Sequence, residues 1–71
     1  MNMQRYKGYV INPVVWRRAT GTWDMTIYIE TPHPSRQRDW AYTCTTPFTT
    51  VQEALQYGFK KGQQCIDAGR V

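Results

Sequence analysis

The last third of the chain, TVQEALQYGFKKGQQCIDAG from Thr50 to Gly69, limits what everything before it can become. Val51, Ala54, Leu55, Gly58, Phe59, Gly62 and Ile66 recur at steps of three and four, the apolar stripe of an amphipathic helix over about 51–68. Thr50 followed three residues later by Glu53 reads as a capping box, and Gly69 supplies a left-handed stop. Ala54, Gly58 and Gly62 stand one turn apart on the buried face, although each helix-interior glycine costs roughly 1 kcal/mol relative to alanine. A bulky surface must come close there. With three Trp and five Tyr in the chain, the expected arrangement is a helix laid tightly across an aromatic sheet.

Seventy-one residues hold one domain with one small core. Chains of this size bury only about 60% of their unfolded surface, so a dimer would be a natural staple. No apolar run approaches the roughly 20 residues of a membrane span. The start, MNMQRYKGY, lacks the apolar segment of an export signal. The expectation is a cytoplasmic protein that begins at its own Met1 and has no membrane partner. Cys44 and Cys65 are the two cysteines, far apart and without a C-x-x-C pair. Reduced thiols are expected, with a 44–65 bridge the lesser alternative.

The run RYKGYVINPVVW over about 5–16 is rich in Tyr, Val and Ile and reads as a strand with Gly8 near its start. Pro13 cannot donate to a ladder, so this strand lies at an edge or carries a bulge or break. Arg17 to Gly21 form the turn. Over 22–31, Trp23, Met25, Ile27 and Ile29 alternate with Asp24, Thr26, Tyr28 and Glu30, which makes one face dry and the other wet. The loop PHPSRQR carries two prolines and excludes regular pairing. A third strand over about 39–46 sets Trp40, Tyr42 and Cys44 inward against the helix glycines, and Pro47 ends it. The fold class is α+β: a three-stranded antiparallel meander covered on one face by a single C-terminal helix, β-β-β-α.

Four segments carry a resemblance: YKGY from Tyr6 to Tyr9, GTW from Gly21 to Trp23, FTTVQEA from Phe48 to Ala54, and GQQCID from Gly62 to Asp67. Together they resemble a group of small uncharacterised bacterial β-β-β-α proteins of this length, which implies a fold and no activity. More distantly, the element order and helix entry are similar to plant AP2-type and phage-integrase arm-type DNA-binding domains. Those insert an open sheet face bearing Arg and Trp into the major groove. Here the central strand offers Asp24, Thr26, Tyr28 and Glu30 on that face, so no DNA-contacting residue is carried over.

The residue inventory points away from catalysis. One His and two distant Cys do not make a zinc site, and no cofactor loop is present. His33 and Ser35 share a proline-bounded loop, where a turn role accounts for both. Asp24 and Glu30 stand about 20 Å apart by strand rise, too far to share a proton. The formal charge of +4 leaves two interaction readings. In the first, an antiparallel homodimer or a protein partner adds to the edge of the third strand at Trp40, Tyr42, Thr43, Thr45 and Thr46. In the second, Arg5, Lys7, Arg36, Arg38, Lys60 and Lys61 gather at one pole, joined by Arg70, and bind nucleic acid.

Overall fold

A computed structural model of the protein describes residues 2–32 and 40–71. Its elements are β1 (Gln4–Tyr6), β2 (Tyr9–Arg17), β3 (Trp23–Glu30), β4 (Trp40–Phe48) and α1 (Val51–Asp67). The sheet has four strands, all neighbours antiparallel, in the order β1-β2-β3-β4. The expected three-stranded meander is therefore corrected to β-β-β-β-α. The reason lies in YKGY. Lys7 at φ 49° and Gly8 at φ 85° both take left-handed backbone, the requirement of a two-residue type I′ hairpin turn. Tyr6 then faces Tyr9 across the turn, and the single predicted strand over 5–16 splits into two.

The turn also settles how β2 accommodates Pro13. In a two-residue hairpin the flanking pair, Tyr6 and Tyr9, exchanges hydrogen bonds, and the bonding direction alternates along each strand thereafter. Tyr9, Ile11 and Pro13 thus point their backbone groups toward β1, while Val10, Asn12 and Val14 point toward β3. β1 pairs no further than Gln4 with Ile11. The missing donor of Pro13 faces a side with no strand partner among the described residues, although Pro13 itself stands opposite Ile27 in a continuous β2–β3 ladder.

The core follows the alternation of β3. Met25 and Ile27 are fully buried, Ile29 nearly so, and Ile11 of β2 joins them. The helix approaches this layer through its glycines. A Cβ on Gly58 would stand 2.6 Å from Met25 Sδ and 2.9 Å from Pro13 Cβ, and one on Gly62 would stand 2.8 Å from Ile11 Cγ2. The close approach expected of these positions is therefore made to β2 and β3. The expectation that Trp40 and Tyr42 of the last strand sit under the glycines is corrected, because α1 lies over the β2–β3 seam.

Both helix ends are closed. Thr50 accepts from the Glu53 backbone N–H at 3.1 Å. The Glu53 carboxylate accepts from the Thr49 hydroxyl at 2.8 Å, so the side chain that a reciprocal box would turn to Thr50 is engaged one residue earlier. At the other end, Gly69 at φ 71° donates to Ile66 O and Arg70 donates to Cys65 O, which is the Schellman pattern. No helix among the described residues is long and apolar enough to cross a membrane.

The last strand runs two residues beyond its expected end. Phe48 pairs with Trp23, and Cys44 pairs with Met25. Thr45, Thr46 and Pro47 therefore stand as a bulge opposite Asp24, which lets a proline lie inside the strand. The outer face of the sheet is also drier than its polar residues suggest. Thr26 lies between Val14 and Thr43 across the strands, bonds the Thr43 hydroxyl at 3.0 Å and is buried. Asp24 beside it is buried too, held by Arg18 Nε at 2.6 Å.

Candidate edge and aromatic shelf

The outward edge of β4 carries the site. Continuing the alternation from the first turn, Trp40, Tyr42 and Cys44 direct their backbone groups to β3, and Ala41 and Thr43 direct theirs away from the sheet. Among the described residues the regular free edge is thus Trp40 to Cys44. Thr45 and Thr46 fall in the bulge, where the ladder is interrupted. The opposite edge of the sheet is β1, only three residues long.

On the helix side of β4, the displacement of α1 toward β2 and β3 leaves an aromatic shelf. Trp40 and Tyr42 stack with centroids 6.3 Å apart and planes 12° apart. Tyr42 is 37% exposed. The near flank of α1 supplies Tyr57 and Lys61, one turn apart. Tyr57 packs at 5.4 Å from the Phe48 ring and is 39% exposed. Its hydroxyl pKa is raised, first by burial and then by the neighbouring Cys44 and Tyr42. Lys61 holds its ammonium 5.4 Å from the Tyr42 ring centroid, a cation–π contact. Cys44 and Cys65 are both buried free thiols.

The basic residues do not share one surface. Arg5 pairs with Val10, between Gln4 and Tyr6, which face the helix. It therefore lies on the helix-free face. Lys60 and Lys61 belong to the helix layer on the other side of the sheet. Lys7 is committed to Asp67, with Nζ 2.6 Å from Oδ1. Arg36 and Arg38 lie outside the described residues, as do His33 and Ser35. The single pole expected from strand order is thus divided by the sheet for Arg5, Lys60 and Lys61.

No protein-family model, curated protein or solved structure matches the chain. Among the described residues no three His, Cys, Asp or Glu side chains gather as a metal-binding group. A half-open depression of about 260 Å³ on the helix-free face is lined by Met3, Val10, Asn12, Tyr28 and Glu30, with Ile29 and Trp40. Among the described residues its lining has one carboxylate and no nucleophile beside a base, which catalysis of acyl or proton transfer would need.

The shelf was only partly visible in the residue pattern. Alternation places Trp40 and Tyr42 on one face, but which helix flank stands beside them depends on where α1 crosses the sheet. The spacing of Tyr57 and Lys61, four residues apart and off the glycine stripe, was the available signal.

Proposed function

We propose that the protein is a non-enzymatic interaction module that adds a strand of another chain to the free edge of β4, a second copy being the natural occupant. The observation that carries this reading is the outward backbone of Ala41 and Thr43 at the end of a four-stranded sheet, paired with no strand among the described residues. Edge strands without a guarding proline, charge or covering element are templates for pairing. The segment Trp40 to Cys44 contains no proline and no charge, and among the described residues no strand pairs with its outer side. A two-fold axis normal to the sheet would pair two β4 edges antiparallel, giving eight continuous strands with both helices on one side. It would also enlarge the small core of a 71-residue chain. Nucleic-acid binding draws less support, since Arg5 is separated by the sheet from Lys60 and Lys61 and Lys7 is neutralised by Asp67.

Sedimentation of the parent protein and of Ala41→Pro tests the reading. Ala41 presents its N–H outward, so proline there removes an edge donor and leaves the β3 ladder and the Thr26–Thr43 pair intact. The parent should sediment as a dimer at tens of micromolar and the variant as a folded monomer. A monomeric parent overturns self-pairing.

A further inference from the structure

The short first strand leaves a second unpaired stretch, on the side of the sheet opposite β4. β1 pairs no further than Gln4 with Ile11, while β2 continues to Arg17. By the alternation from the first turn, Val15 and Arg17 point their N–H and C=O groups away from β3, and Pro13 adds an outward carbonyl. The Arg18 N–H donates to Thr22 O at 2.8 Å, so Arg18 faces β3 and the alternation holds to the end of the strand. Among the described residues no strand pairs with this outer side. Both faces beside it are apolar. Val14 and Trp16 are 41% and 42% exposed on the helix-free face, and Val15 and Phe59 are half-buried on the other. Phe59 stands one turn before Gln63, whose bond to the Gln4 side chain turns this flank of α1 toward β1.

The end of this stretch carries two guanidinium groups against one carboxylate. Arg17 is exposed and forms no ion pair among the described residues. Arg18 is bonded through Nε to the buried Asp24 at 2.6 Å, which engages neither of its terminal nitrogens. Asp24 is thereby spent. Glu53 lies beside Tyr57 on the flank of α1 that faces β4, and Glu30 is seven residues along β3 from Trp23, the partner of Arg17. Residues 33–39 begin and end at the far end of the sheet. A path from Pro32 to Arg17 and back to Trp40 spans about 50 Å by strand rise and spacing, against about 30 Å of chain in eight peptide steps. Asp39, the acid of that segment, is one step from Trp40, which stands about 20 Å from Arg17 along the ladder.

We propose that the outer side of β2 from Pro13 to Arg17 takes up an extended acidic segment of a partner protein as an added strand, in line with β1. Main-chain bonds to Val15 and Arg17 would set the register, and alternate side chains would rest on Trp16 and on Phe59. Carboxylates at the end would meet Arg17 and the outer nitrogens of Arg18. A second copy suits this side less well, because pairing β2 with β2 brings together four guanidinium groups and two carboxylates that are already bonded. The proposal goes beyond pairing at β4 and does not depend on it.

The test titrates three labelled probes against the protein by fluorescence anisotropy: the peptide Glu-Glu-Val-Thr-Val-Thr-Glu-Glu, its counterpart with Lys for Glu, and an oligothymidylate. Amide exchange is followed in the complex. The acidic peptide should bind and the lysine peptide should not, with the Val15 and Arg17 amides slowed about tenfold or more and those of Ala41 and Thr43 unchanged. Arg17→Glu should weaken binding about tenfold or more. Val15→Pro should abolish it by removing an outward donor, and Ala41→Pro should leave it intact, which separates this side from β4. Failure to bind the acidic peptide at about 1 mM, equal binding of both peptides, preference for the oligothymidylate, or indifference to Arg17→Glu overturns the proposal. So does protection that falls on Ala41 and Thr43 instead of Val15 and Arg17. A parent protein that sediments as a monomer removes β4 self-pairing and leaves these expected results as they stand.

Discussion

Lys7 Nζ lies 2.6 Å from Asp67 Oδ1, joining the turn of the first hairpin to the last residue of the helix across 60 positions of sequence. Tyr6 donates its hydroxyl to the other carboxylate oxygen at 2.8 Å, and Gln63 donates to the Gln4 side chain at 2.7 Å. A carboxylate at a helix C-terminus is opposed by the macrodipole. Here the Lys7 ammonium and Tyr6 hydroxyl offset that penalty and fasten a strand of only three residues to the rest of the domain.

This latch predicts a pH dependence. Hydrogen bonds from Lys7 and then Tyr6 hold the Asp67 pKa below its ordinary 3.8. Its contribution is therefore present above about pH 4 and lost as pH falls through the lowered value. Bonding to Asp67 raises both Lys7 and Tyr6 above their ordinary 10.5 and 10.0, so their share is present below those values and lost as pH climbs past them. Amide exchange at Tyr9 and Ile11 should accelerate at both extremes relative to β3. Asp67→Asn should remove the acid limb, and an unchanged acid limb in that variant would assign it to another group.

The glycines of α1 give the second prediction. Gly58→Ala gains roughly 1 kcal/mol of helix propensity, but its Cβ would enter contacts of 2.6 and 2.9 Å with Met25 and Pro13. Met25 Sδ can yield, whereas the ring carbon of Pro13 is held in the β2 backbone. Overpacking of about 1–3 kcal/mol should exceed the propensity gain. Gly58→Leu should cost more still. Thermal midpoints order the three proteins, and a raised midpoint in either variant contradicts the packing described.

The hairpin turn gives the third. Gly8 sits at φ 85°, where a β-branched residue is strained by roughly 1–2 kcal/mol. Gly8→Val should lower stability by about that amount. The effect should appear first as faster amide exchange in β1 and the facing half of β2. Uniform loss across the sheet would mean that β1 does not open separately.

Much of the architecture was legible in the residues, and what was missed has three physical causes. The glycine stripe and the caps place α1 within one residue of its observed end, and the alternation of Trp23 to Glu30 orients the central strand correctly. YKGY was harder because Lys7 is not a residue expected at positive φ, so the Val-rich run around it reads as continuous. Once that turn is missed, the count of strands is short by one. The face of Arg5 relative to the helix is then never tested, and the basic residues seem to gather at one pole. Pro47 misled in a related way, since a bulge opposite Asp24 lets the strand pass through it to Phe48. The position of the shelf depended on where α1 crosses the sheet, which is a matter of tertiary packing on Met25, Pro13 and Ile11. Local pattern holds no record of that.

Amide exchange at Ala41 and Thr43 measures directly whether the outward amides of β4 are paired in solution. On a free edge these two should exchange far faster than Tyr42, whose N–H is bonded into the β3 ladder. Edge pairing predicts that at about 100 μM both are protected to within roughly tenfold of Tyr42, and that protection is lost on dilution as the dimer dissociates. Rapid, concentration-independent exchange at Ala41 and Thr43 beside a protected Tyr42 would contradict it.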